Sequence, residues 1–166
     1  MWFRYDLRIK DNDALFEAIK NQNCLLVFIL DRGYLKLETT SDFHLNFLKD
    51  SLIDLNKNLK KKFNAKLNFF KGETIEILNF LINKHKIKTI YSNKIFKGKY
   101  FNKLNNKIYS LLTEKGIDWV EKNQFGIQLD KRIRGKWSTD WYKFVNNPIS
   151  HEIEGKSFIE YDYGDL

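Results

Sequence analysis

Trp2-Phe3-Arg4-Tyr5-Asp6-Leu7-Arg8-Ile9-Lys10-Asp11-Asn12-Asp13-Ala14-Leu15 opens the chain, and its reading decides the architecture. Trp2-Phe3-Arg4 reads as a short strand. Asp11-Asn12-Asp13 then offers an N-cap, because short polar side chains accept from the free N–H groups of a first helical turn. The helix behind it carries Ala14, Leu15, Phe16, Ala18 and Ile19. Further on, Cys24-Leu25-Leu26-Val27-Phe28-Ile29-Leu30 is a continuous apolar run, as expected of a central parallel strand covered on both faces.

The alternation continues outward from there. Asp31-Arg32-Gly33-Tyr34 opens a loop to about Asp42, followed by Phe43, Phe47, Leu48, Leu52, Leu55, Leu59 and Phe63 on one helical face. Leu67 to Phe70 is a third strand. Gly72-Glu73-Thr74 leads into a helix through Ile75, Leu78 and Ile82, and Thr89-Ile90-Tyr91 is a fourth strand. A basic helix from about Lys99 to Lys115 ends before Gly116, a plausible left-handed cap, and Ile117 to Val120 is the fifth strand. Strands alternating with helices predict a parallel sheet with right-handed crossovers. From about 124 to 166 the periodicity fades into a Trp- and Tyr-rich segment and an acidic tail, read as wrapping over a single domain that spans 1–166.

Composition narrows the class. The 166 residues are 43% hydrophobic and 30% charged, enough for a core and against disorder. Cys24 is alone, which excludes an internal disulfide and fits a reducing, cytoplasmic setting. The charged N-terminus does not resemble a signal peptide, and no apolar run approaches the roughly 20 residues that span a bilayer, so no membrane partner is expected. Net charge is +8; residues 150–166 hold one lysine and five acids, so the first 149 carry 28 basic against 16 acidic groups. That field attracts polyanions such as DNA. Abundant Lys, Asn and Ile with a single proline, Pro148, give the duller account of a biased coding composition.

The opening stretch resembles the pattern W-F-R-x-D-L-R-x-x-D-N-x-A-L of the DNA photolyase/cryptochrome family, N-terminal α/β (antenna) domain. Phe47-Leu48, Ser51-Leu52, Asp54-Leu55 and Leu59 are similar to that family's F-L-x-x-S-L-x-D-L-x-x-x-L helix. Phe70-Lys71-Gly72 with Ile75 and Leu78 is similar to its next strand-to-helix turn. Lys136-Trp137-Ser138-Thr139-Asp140-Trp141 falls roughly where the family has K-V-F-T-P-F. The resemblance implies a Rossmann-like five-stranded parallel sheet, order 3-2-1-4-5, with helices on both faces. The chain departs from the family in three places. Lys99-Tyr100 stands where some folate-binding members have Asn-Glu, His44 stands where many have arginine, and the Pro-Pro-Gly stretch is missing.

In such a sheet, ligands bind beyond the carboxyl ends of the strands where the order reverses. The implied order places that crevice between strands one and four, with Arg4, Arg8, Asn93, Lys94, Lys97 and Lys99 near one mouth. A basic mouth suits an anionic antenna pigment: folate, flavin mononucleotide (FMN) or a deazaflavin. For Arg4, Asp6, Arg8 and Asp11 the alternative is an ion-pair lattice bracing the first crossover, and for the lysines a solvated face. Trp137, Trp141 and Tyr142 read as a lid, or as rings that stack on a ligand. His44, His85 and His151 are too scattered for a metal site or triad, and no Walker, G-x-G-x-x-G, G-x-S-x-G or H-E-x-x-H motif is present.

The expected function is that of a photolyase-type antenna or accessory domain related to deoxyribodipyrimidine photolyase, the light-dependent DNA repair enzyme. FAD is not expected on this chain alone, since 166 residues leave no room for the helical domain that holds it in the family, and a separate flavin-binding helical domain is the implied partner. Alternatives are a nucleotide-binding α/β enzyme, disfavoured by the lack of a phosphate-cradling glycine loop, and a basic nucleic-acid-binding module.

Overall fold

The computed structural model describes residues 1–20, 23–95, 98–124, 126, 134–148 and 158–159. Five strands are present: β1 (Trp2–Phe3), β2 (Val27–Asp31), β3 (Asn68–Gly72), β4 (Thr89–Asn93) and β5 (Asp118–Lys122). The helices are α1 (Asp13–Lys20), α2 (Arg32–Leu35), α3 (Asp42–Phe63), α4 (Thr74–His85), α5 (Gly98–Glu114) and α6 (Trp137–Val145), the last preceded by a 3₁₀ turn at Arg134–Lys136.

Local chemistry sets the boundaries. Asn12 is the residue of the Asp-Asn-Asp run that caps α1: its Oδ1 accepts from the Leu15 N–H at 3.1 Å. Ser41 caps α3 by accepting from the His44 N–H at 3.5 Å, and the His44 ring faces back to close a capping box. At the other end Asn64 takes a left-handed conformation, φ 50°, which stops the helix after 22 residues. Gly116, at φ 65°, turns the chain from α5 into β5.

All observed pairings are parallel. β1 pairs with β2 (Trp2↔Val27, Phe3↔Phe28), β2 with β3 from Val27↔Asn68 to Asp31↔Gly72, and β4 with β5 from Thr89↔Asp118 to Asn93↔Lys122. The expected single five-stranded sheet is therefore corrected to two smaller ones, β1-β2-β3 and β4-β5. The cause lies in β1. The Arg4 N–H, which would carry the strand onward, instead donates to Asp6 Oδ1 at 3.0 Å, so the strand stops after two residues. β1 lies beside β4 without a ladder, and side chains close the seam.

Alternation along these strands builds two apolar layers. Phe3, Leu26 and Phe28 point to one face and are covered by Leu15 and Ile19 of α1 and Leu55 and Leu59 of α3. Trp2, Val27 and Ile29 point to the other, under Leu81 and Ile82 of α4 and Ile108 and Leu112 of α5. Each such side chain, fully buried, stabilises the fold by about 1.5–3 kcal/mol relative to exposure. Cys24 is a buried free thiol at the foot of β2, where the Met1 ammonium donates to the Leu25 carbonyl at 2.8 Å. Most of the expected wrapping segment lies outside the described residues. Within it, Phe158 bridges to Cys24 in parallel and sets its ring 5.6 Å from that of Phe63. Among the described residues no helix is long and apolar enough to cross a membrane.

Candidate functional site

At the reversal point between β1 and β4, the crevice is filled by the protein's own side chains. Asn93, at the carboxyl end of β4, is 1% exposed. Its amide donates to Asp6 Oδ2 at 2.6 Å and to Asn12 Oδ1 at 2.9 Å. Asn12 in turn donates to Asp6 Oδ2 at 3.2 Å and to the Arg8 carbonyl at 3.0 Å. The -Asp-x-x-x-x-x-Asn- spacing of the opening loop and the last residue of β4 thus form one buried knot.

Of the remaining residues expected at the mouth, the described ones do not converge. Arg4 turns inward, donating to Asn105 Oδ1 at 2.6 Å and pairing with Glu121 at 3.4 Å, its guanidinium 4.7 Å from the Trp2 ring centre. Burial lowers its pKa to about 10, against the opposing pull of Glu121 and Asp6. Arg8 is exposed and clamps the Asp11 carbonyl through Nε and Nη2 at 3.1 and 2.9 Å, bracing a residue with φ 50°. Lys94 bonds through its backbone, to the Lys122 carbonyl at 2.9 Å and from Gln124 Nε2 at 3.1 Å. Lys97 lies outside the described residues. Lys99 is exposed on the first turn of α5 and lines an open cavity.

That cavity, about 420 Å³, opens beyond the carboxyl end of β2. Tyr34 walls it from α2, Leu37 and Thr39 from the loop that follows, His44 from the start of α3, and Lys99, Tyr100 and Phe101 from the start of α5. Tyr5, Tyr34 and Phe101 form an aromatic cluster with ring centres 5.6–5.8 Å apart, and Tyr100 meets Phe101 edge-on at 5.3 Å. Behind them Asp31 ends β2 and ties the site together. It accepts from the Gly33 and Tyr34 N–H groups at 2.9 and 3.1 Å, from Thr74 Oγ1 at 2.6 Å and from the Tyr100 hydroxyl. Burial alone would raise its pKa, but the bonds from Thr74 and Tyr100 outweigh burial and hold it below the ordinary carboxylate value. Desolvation, with Tyr34 beside one and Asp31 beside the other, raises the Tyr5 and Tyr100 phenols far above neutrality, so both remain protonated donors. At Gly33 a Cβ would run into the Tyr100 ring, so glycine is what lets α5 approach α2.

Sequence reasoning missed Tyr34, Phe101 and Asp31, and singled out Tyr100 and His44 only as departures from the family pattern. One signal was available: Asp31-Arg32-Gly33-Tyr34 directly follows the most apolar strand, where ligand loops of parallel sheets belong. Among the described residues the cavity wall has aromatic rings, one lysine and no carboxylate, a lining suited to a flat ring with an anionic edge.

Parallel strands crossed by helices on both faces, with a ring-lined cavity beyond their carboxyl ends, define an α/β domain of parallel strands. Within that class the chain belongs to the DNA photolyase family, which residues 1–125 match. It is 34% identical over 101 residues to the chloroplastic/mitochondrial cryptochrome DASH of Arabidopsis thaliana, covering 57% of this chain and 18% of that protein. It is 32% identical over 99 residues to the deoxyribodipyrimidine photo-lyase of Buchnera aphidicola, covering 56% and 20%. The archaeal photolyase of Sulfolobus tokodaii, solved with two FAD molecules and implicating a novel light-harvesting cofactor, superimposes with a TM-score of 0.76 at 25% identity, over 97% of this chain and 38% of that one. The chain spans about a fifth of the curated relatives it matches. It corresponds to the N-terminal domain of photolyases and cryptochromes.

Proposed function

We propose that this chain is the pigment-holding half of a photolyase- or cryptochrome-type pair, with the reactive FAD carried by a helical unit that docks against it. The observation that carries the reading is the cavity between Tyr34, His44 and the start of α5. A folate, FMN or deazaflavin ring would pack against Tyr34 and Phe101, with its anionic side chain toward Lys99 and the free N–H groups of α5's first turn. Bound there, the pigment would absorb near-ultraviolet or blue light, while the protein's part is to hold the ring, exclude water and orient it. Asp31 and the protonated phenols do this by fixing α2 and α5 relative to one another.

The partner in this reading covers α6. Trp137 (56% exposed), Trp141, Tyr142 (61%) and Val145 present a solvent-facing apolar surface of the kind that marks a contact with another protein unit. The lysine surplus lends the pair a sequence-independent attraction for the DNA backbone, consistent with a role in light-dependent repair. A cytoplasmic setting belongs to the same reading, on the strength of the lone reduced Cys24.

Fluorescence titration of the purified chain with FMN, an 8-hydroxydeazaflavin and a reduced folate tests the proposal. One of the three is expected to saturate at micromolar concentration, and both Phe101→Ala and Lys99→Glu to weaken it at least tenfold while the chain stays folded. A colourless protein that takes none of the three, or a pigment whose affinity ignores both substitutions, rules the reading out.

A further inference from the structure

β3 ends the three-stranded sheet, with a partner on one side only among the described residues. Its facing is settled by two bonds. Asn68 N–H donates inward to the Leu26 carbonyl at 2.9 Å, so by alternation Phe70 also faces β2, while Leu67, Phe69 and Lys71 aim their N–H groups at the open edge. The first of those outward groups is already met, by Asn56 Oδ1 at 2.9 Å. Phe69 and Lys71 are the two that follow.

Beside this edge, α3 overhangs the sheet. Leu45, Leu48 and Leu52 of α3, with Leu67 and Phe69 of the β3 segment, enclose an apolar groove of about 440 Å³. Ile53, on the same helix and lining the same groove, is 57% exposed. Helix and edge together border this slot, with apolar side chains on the α3 side and backbone donors on the other. Lys49 from α3 and Lys71 from β3 stand at its rim, and among the described residues no acidic side chain lines it.

We infer that this slot receives an extended peptide segment, apolar at alternate positions and carboxylate-bearing at its ends, that adds to β3 as a further parallel or antiparallel strand. The open edge supplies main-chain hydrogen bonds, the groove takes every second side chain, and the two lysines select acidic flanks. A small anionic amphiphile would use the groove and the lysines but not the edge. A second copy of this chain would use the edge but raise the apparent mass. The inference is independent of the pigment cavity, which lies beyond the carboxyl end of β2.

The test is amide exchange of the full ¹⁵N-labelled chain with and without the peptide acetyl-Glu-Ile-Thr-Val-Thr-Leu-Glu-amide. In the free chain the Phe69 and Lys71 amides exchange rapidly; with peptide their protection rises at least tenfold, and resonances of Leu45 to Ile53 shift. Lys71→Ala and Lys71→Pro both remove the charge, but only the proline removes the outward donor, without touching the β2–β3 ladder. Lys71→Ala is expected to bind several-fold more weakly, with less salt dependence, and Lys71→Pro not to bind. The inference is overturned if those amides are already slow in the free monomer, or if the peptide binds without protecting them. Equal peptide affinity of the two variants also overturns it. Dodecanoate outcompeting the peptide with no change in edge exchange assigns the groove to an amphiphile, and protection that grows with protein concentration alone assigns it to a second copy.

Discussion

Asp31 shows how one carboxylate can organise a site without reaching a ligand. Its two oxygens accept from Gly33 and Tyr34 in the first turn of α2, from Thr74 at the start of α4 and from Tyr100 on α5, joining three segments that are distant in sequence. Folding holds its pKa below the ordinary 3.8 because those donors outweigh the cost of burial. The ionised form is therefore the one the fold favours. Its stabilisation is complete well above that value and drains away as pH falls through the folded one. Asp31→Asn keeps the shape but brings a donor where only acceptors fit. It is expected to cost about 1–3 kcal/mol at pH 7. In acid the wild type loses its advantage, so the gap between the two proteins should narrow steadily below pH 3.8. Urea unfolding at a series of pH values checks this, and a gap independent of pH would mean that Asp31 contributes shape and not charge.

At the scale of elements, the seam between β1 and β4 replaces a backbone ladder with a side-chain knot. The sequence pattern placed all five strands and α1, α3, α4 and α5 within a few residues, because apolar runs and helical spacing are local signals. It could not show that the Asp6 carboxylate would capture the Arg4 N–H and stop β1 early, since that depends on the loop's three-dimensional turn. Nor could spacing show that Asn93 would spend its amide on Asp6 and Asn12. The same contacts make the seam fragile in a specific way. Asn93→Leu fills similar volume but leaves the buried Asp6 carboxylate short of its 2.6 Å donor. The expected loss is about 2–4 kcal/mol, as for a buried polar group deprived of its partner. Chemical denaturation measures it. An unchanged midpoint would show that β1 and β4 are held by packing alone.

On the scale of the whole molecule, the fold was legible because the opening stretch and the alternation of elements agree, whereas the cavity was not. Its walls come from α2 and the loop that follows, the start of α3 and the start of α5, which only the crossovers bring together. The tryptophans divide along the same lines. Trp2 and Trp119 lie in the protein, 6.1 Å apart, with Trp119 Nε1 donating to Ser92 at 2.9 Å, while Trp137 and Trp141 on α6 are exposed to solvent. An apolar ring in water gains free energy, on the order of 25 cal/mol per Å² of apolar area, when a partner covers it. The isolated chain should therefore show two emission populations, one blue-shifted and one reached by acrylamide, and the double substitution Trp137→Ser with Trp141→Ser should remove the quenchable one at little cost in stability. If the proposed helical flavin unit docks on α6, adding it must shield that population in the wild type and must bind the double variant at least tenfold more weakly. A complex that forms with equal affinity to both proteins would place the docking face elsewhere on the chain, and α6 would then be left with an exposed surface that pairing does not explain.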